Sequence, residues 1–210
     1  MLTEPGRDCP LCPRLVAFLQ EHRAAHPDWH NAPVPSFGPI GASLLVVGLA
    51  PGLKGANRTG RPFTGDYAGD LLYPTLIKHG FAKGTYGREP DDGLTLDDCR
   101  ITNAVRCVPP QNKPVGAEAN ACRPFLVSEI SAMKNLKIIL SLGGLSHSAV
   151  LRTFGMKQST AKFTHGAIHD LGPDKPALAN SYHCSRYNTN TGRLTEEMFD
   201  RVFDSIRKAL

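Results

Sequence analysis

No apolar run in this chain approaches the ~18 residues that a membrane span requires. Met1 to Arg14 mixes charges with prolines and contains no apolar core of the secretory-signal kind. The sequence therefore predicts a protein of a reducing compartment, where structural disulfides are disfavoured. There is no internal repeat and no low-complexity tail. No glycine-rich loop ends in the glycine-lysine-serine/threonine of a phosphate-binding loop, and Gly48 and Gly52 lack the spacing of a dinucleotide fingerprint. No serine or cysteine stands out with a paired base and acid, which argues against nucleophilic acyl chemistry. What is present is 210 residues at 41% hydrophobic content, enough for one sizeable core, so a single domain over 1–210 is expected. A net charge of +5 permits a polyanionic partner without demanding one.

The apolar runs predict an α/β fold. Residues 43–48, 99–106, 136–142 and 177–182 read as strands, each running into a loop of Gly, Pro or polar residues. Between and after them, 70–79, 117–135, 145–154 and 195–209 read as helices, the last with Thr195 as N-cap before Glu196 and Glu197. Strands alternating with helices imply a parallel sheet covered on both faces. Ligands bind such sheets beyond the carboxyl ends of the strands, and the unusual loops of this sequence all fall there.

Six cysteines are present, and four form two local pairs: Cys9 with Cys12, and Cys107 with Cys122, the latter with fourteen residues between them. Four thiolates brought together across a long gap suit a soft metal centre, zinc or an iron–sulfur cluster alike. The spacing does not choose between them.

The loop after the first strand, Gly48-Leu-Ala-Pro-Gly52, leads into Gly55-Ala-Asn-Arg-Thr-Gly-Arg-Pro-Phe-Thr-Gly-Asp66. Its glycines allow close approach to a ligand, and Arg58 and Arg61 are placed to meet phosphate. Asp66 is suited either to cap the following helix or to orient a water. The loop after the last strand places His183 beside Ser185, Arg186 and Asn188, where an imidazole can donate to developing negative charge.

These segments, with Ile101-Thr-Asn-Ala-Val-Arg-Cys107 and Tyr182-His183 through Asn188-Thr-Asn-Thr-Gly192, resemble the family-five, or type B, uracil-DNA glycosylases from Cys9 to about Leu194. The resemblance implies a three-layer α/β/α sandwich on a central four-stranded parallel sheet. It also implies a [4Fe–4S] cluster on Cys9, Cys12, Cys107 and Cys122, favouring cluster over zinc and leaving Cys99 and Cys184 outside. Leu49 and Ala50 stand where other families of the superfamily place a water-activating Asp or Asn, so Asp66 inherits that role. Phe63 is implied as the aromatic that stacks on a flipped base. Asn103 occupies the base-reading position of the related family four, with Gly48 and Ala50 lining the same pocket. His183 is implied as the donor to the base carbonyl. Many superfamily members carry His-Pro-Ser where this chain has His183-Cys184-Ser185, which puts the DNA wedge residue in doubt.

Excision requires the base to leave the duplex, at a cost of a few kcal/mol. Lys54, Arg58, Ser185, Arg186 and Asn188 are the residues expected on the DNA backbone. No lysine is placed as a Schiff-base nucleophile, so a monofunctional hydrolase is expected. The implied partner is double- or single-stranded DNA carrying uracil or other deaminated bases, bound by a monomer in a bacterial or archaeal cytoplasm. The competing readings are an iron–sulfur redox protein and a nucleic-acid-binding module without activity; neither explains why Asp66 stands in a glycine-rich loop.

Overall fold

The computed structural model describes residues 2–210. In chain order the elements are α1 (Pro13–Ala25), β1 (Leu44–Gly48), α2 (Ala56–Thr59), α3 (Tyr67–Lys78), β2 (Ala82–Lys83), β3 (Thr95–Leu96) and β4 (Cys99–Asn103). Then follow α4 (Gly116–Ala132), β5 (Ile138–Leu142), α5 (Gly144–Thr153), β6 (Ile168–His169), β7 (Ala177–Ser181), α6 (Arg186–Asn190) and α7 (Glu196–Ala209). The main sheet has the order β4-β1-β5-β7-β6. β4, β1, β5 and β7 run parallel, and they are the four strands the sequence predicts. The sheet gains a two-residue antiparallel edge, β6, paired through Ile168 to Ala179. β2 and β3 form a separate small hairpin.

Every residue of β1, β4 and β5 is buried, as expected for strands covered on both faces. Alternation along β1 sends Leu44 and Val46 into one core with Leu72, Phe81, Phe199 and Phe203. Leu45 and Val47 enter the other, with Leu126, Val150 and Leu151. α3 and α7 therefore cover one face, and α4 and α5 the other. α7 buries Phe199, Val202, Phe203 and Ile206, one stripe at helical spacing. Each such side chain contributes about 1.5–3 kcal/mol on full burial.

Two differences from the sequence reading matter for the site. The strand predicted over 99–106 ends at Asn103; beyond it Ala104 donates its N–H to Gly48 at the end of β1, and Val105 to Leu49 in the loop that follows. Helix α1 is absent from the sequence reading, although Pro13 at its first position is a start signal. α1 is fixed by buried Leu15 and Leu19 and by Arg14, whose guanidinium makes a two-pronged ion pair with Glu118 of α4 at 2.7 and 2.8 Å. No helix among the described residues is long and apolar enough to cross a membrane.

Candidate active site

At the carboxyl ends of β1, β4 and β7 lies an open pocket of about 300 Å³. The predicted residues Ala50, Phe63, Asp66, Asn103, His183, Ser185 and Arg186 all line it. Asp66 begins α3, where its carboxylate accepts the Ala68 N–H at 3.1 Å. Burial pushes its pKa above the usual carboxylate value, a shift that the N–H groups of Ala68 and Gly69 only partly oppose. Gly55 lies directly against the carboxyl group: a Cβ there would stand 2.8 Å from Asp66 Cγ. Asp66 thus caps α3 through one oxygen while its side chain lines the pocket.

Phe63 is buried with a positive φ of 54°, a strained conformation for a bulky residue. The strain is held by the Tyr86 hydroxyl, which donates to the Phe63 carbonyl at 3.1 Å. Its ring lies 6.0 Å from that of His183, tilted by 31°. A methyl at Gly48 would meet Asn103 Oδ1 and come within 2.6 Å of Phe63 Cζ. Gly48 thus keeps the pocket floor thin enough for both residues.

Gly69 does the same for the strained loop, since a methyl there would collide with the Phe63 carbonyl oxygen and the Tyr86 hydroxyl. Glycine to alanine inside a helix ordinarily stabilises by roughly 1 kcal/mol. Here Gly69→Ala should instead lower the melting temperature. A variant that melts higher would show that this loop tolerates movement of Phe63.

His183 follows β7, and burial lowers its imidazole to about 4, so the ring is neutral near pH 7. Among the described residues neither ring nitrogen has a hydrogen-bond partner, which leaves its N–H free for a ligand. Its main-chain carbonyl accepts Asn188 Nδ2 at 2.8 Å, and Ser185 caps α6 by accepting the Asn188 N–H. Ser185 and Asn188, two of the five residues predicted for the DNA backbone, thus have intramolecular tasks in the His183 loop. Cys184, in the place of the proline found elsewhere, is fully buried in the core beneath Asp66. Arg186 lies over the Tyr67 ring, 5.2 Å from its centroid, at the pocket wall. Lys54 is exposed. Arg58 makes a two-pronged ion pair with Glu89 at 2.8 and 3.0 Å.

Arg61 corrects the sequence reading. It is 5% exposed, lies over the Phe37 and Tyr73 rings, and pairs with Asp92 at 2.7 and 2.8 Å. Its guanidinium lowers Asp92 to about 2. It braces the loop from inside and is closed to phosphate. Asn112, overlooked in the sequence, lines the pocket from the turn after β4. It follows Gln111, and both have positive φ, 56° and 57°. The sequence signal was an asparagine, tolerant of that conformation, in a proline-bounded loop.

Cys9, Cys12, Cys107 and Cys122 line one small cavity between α1 and α4, and all six cysteines are free thiols. Burial, above all, raises Cys107 to about 12 and Cys122 to about 11. The Arg106 N–H points at Cys122 Sγ, 3.3 Å away. Among the described residues, no three His, Cys, Asp or Glu side chains are drawn together as they would be around a single metal ion. The shared cavity, the free state of the thiols and the all-sulfur donor set fit an iron–sulfur cluster.

Comparison with known proteins agrees with this architecture. The model of the Uracil DNA glycosylase superfamily matches residues 35–207. The type-5 uracil-DNA glycosylase of Thermus thermophilus is 45% identical over 200 residues, covering 92% of this chain and 90% of that protein. Its namesake in Pyrobaculum aerophilum is 37% identical, covering 93% and 86%, and that of Mycobacterium bovis is 39% identical, covering 95% and 77%. A sheet-end pocket holding Asp66, Phe63, Asn103 and His183 and this degree of likeness lead to one conclusion: the chain belongs to the uracil-DNA glycosylase superfamily, among its type-5 members.

Proposed function

We propose that this pocket hydrolyses the N-glycosidic bond of uracil in DNA, the excision step of base-excision repair, on a nucleotide flipped out of the duplex. The observation that carries the reading is a half-buried carboxylate and a neutral imidazole facing one pocket of about 300 Å³. Departure of the base leaves an oxocarbenium-like sugar and an anionic base. Asp66 stabilises the positive end and orients the attacking water, while His183 donates to a carbonyl oxygen of the leaving base. Phe63 offers its ring to the base, and Asn103 and Asn112 offer amides to its edge. With Leu49 and Ala50 in the first loop, that loop supplies no carboxylate or amide of its own to add selectivity to what Asn103 and Asn112 provide. Other deaminated bases are therefore included in its range.

Lys54, Arg58 and Arg186 hold the DNA backbone, with Arg58 exchanging Glu89 for phosphate. The protein acts as a monomer in the cytoplasm on double- and single-stranded substrates. Duplex oligonucleotides carrying one uracil, or one deaminated purine, test the activity directly; abasic product without strand cleavage is the expected outcome. Unaltered oligonucleotides with binding retained would return the chain to a DNA-binding role.

The four cysteines hold a [4Fe–4S] cluster that ties the N-terminal segment to the loop after β4. When bound, the cluster supplies cross-linking rather than redox turnover, and no step of excision passes through it. Purified protein should be brown with about four irons per chain, as a cubane held by four cysteines requires. Cys107→Ser should lose the colour and lower the melting temperature. Colourless, zinc-loaded protein from an anaerobic preparation would overturn the assignment.

A further inference from the structure

We propose that His165, outside the pocket, is a positioning residue that sets where β7 delivers His183; this rests on the role given to His183 above. β6 and β7 pair in antiparallel register, and the ladder continues beyond the strand bounds. The Asn180 N–H bonds the Ala167 carbonyl at 3.0 Å, and the Gly166 N–H bonds the Asn180 carbonyl at 2.9 Å. At Gly166, with φ of 79°, the chain turns away. The ladder's next acceptor is then missing from the backbone, and a side chain replaces it. The Tyr182 N–H donates to Nδ1 of His165 at 3.1 Å.

The same imidazole is held on other sides. Its ring stacks on the Tyr182 ring at 4.9 Å and 11°. It lies against Met198 and the Arg201 guanidinium of α7. Arg193 lies over the Tyr182 ring, 4.7 Å from its centroid. Acceptance at Nδ1 fixes the tautomer with hydrogen on Nε2. Burial, chiefly, and Arg201 keep this ring uncharged by lowering its pKa. A neutral imidazole is what an incoming N–H needs.

Tyr182 is the residue immediately before His183, whose ring has no hydrogen bond of its own in the described structure. The direction of that ring therefore depends on where its backbone is pinned: at Tyr182 N by His165, and at the His183 carbonyl by Asn188. A misplacement of ~1 Å in a reacting constellation can cost about 10²-fold in rate, and a fraction of that shift about tenfold.

Two variants separate the acceptor from mere filling of space. His165→Phe keeps a ring to stack on Tyr182 and removes the acceptor. His165→Asn keeps an acceptor, because its Oδ1 stands as many bonds from the backbone as Nδ1, but gives up the stack. The readouts are single-turnover excision on a uracil duplex, affinity for a uracil-free duplex, and thermal melting. His165→Phe should lose about tenfold in the excision rate with affinity unchanged, and His165→Asn should recover most of the loss. An unimpaired His165→Phe, or a His165→Asn as slow as His165→Phe, would overturn the proposal. So would a loss of rate that follows DNA affinity or melting temperature in both variants. His183→Ala is measured alongside: if it excises like the parent, the reading of His183 fails first, whereas a slow His183→Ala beside a normal His165→Phe sinks this inference alone.

Discussion

Asp66→Asn should cut the single-turnover rate of uracil excision by roughly 10²-fold or more, while the protein melts at the same temperature or higher. The two halves come from different properties of one side chain. Asparagine caps a helix about as well as aspartate, so the bond from the Ala68 N–H survives the change. What disappears is a charge that burial disfavours, since the Asp66 pKa is raised in the folded protein. Ionising such a group costs the native state more than the unfolded chain. Its destabilising effect is absent below the ordinary carboxylate pKa and grows as pH rises through the raised value. The gain in melting temperature for Asp66→Asn should accordingly appear at neutral pH and vanish near pH 3. The parent's rate should fall on the acid side as Asp66 takes up its proton, above the usual carboxylate range. Normal excision by a well-folded Asp66→Asn protein would leave this residue as a cap and nothing more.

The framework of this site was legible because its signals are local. Short apolar runs marked β1, β4, β5 and β7, the first three running into glycine or proline and the last into His183-Cys184-Ser185, and the loops after β1 and β7 line the pocket. What stayed hidden depends on partners far away in sequence. Arg61 looked like a phosphate contact in a glycine-rich loop, and only the fold brings Asp92 against it, 31 residues on. Arg58 is paired with Glu89 for the same reason. Asn112 gave no chemical signal, because its place in the pocket comes from the unusual backbone of a turn. β6 is two residues long, below the length at which alternation can be recognised. Asp66, in contrast, supported two readings from sequence, and the structure shows why: it caps α3 and faces the pocket from the same position.

His183→Ala should slow excision about a hundredfold, the loss typical when one donor to a developing oxyanion is removed. As the glycosidic bond stretches, charge moves onto the base, and a donor aimed at its carbonyl oxygen strengthens as the transition state is approached. That makes the effect one on rate rather than on ground-state binding. Affinity for uracil-free DNA should stay almost unchanged. The ring must donate without carrying a charge, and burial brings its pKa down to about 4. The catalytic form therefore persists into mild acid. Stability has the opposite dependence on the same shift. As pH falls below ~6.5 the unfolded chain takes up a proton that the folded ring refuses, and stability is lost progressively until about pH 4. His183→Ala should remove that part of the loss, so its melting temperature should fall less than the parent's between neutral pH and pH 4. A variant that keeps its single-turnover rate and loses DNA affinity would show that His183 shapes the loop, and that Asp66 and the aromatic floor carry the chemistry without it.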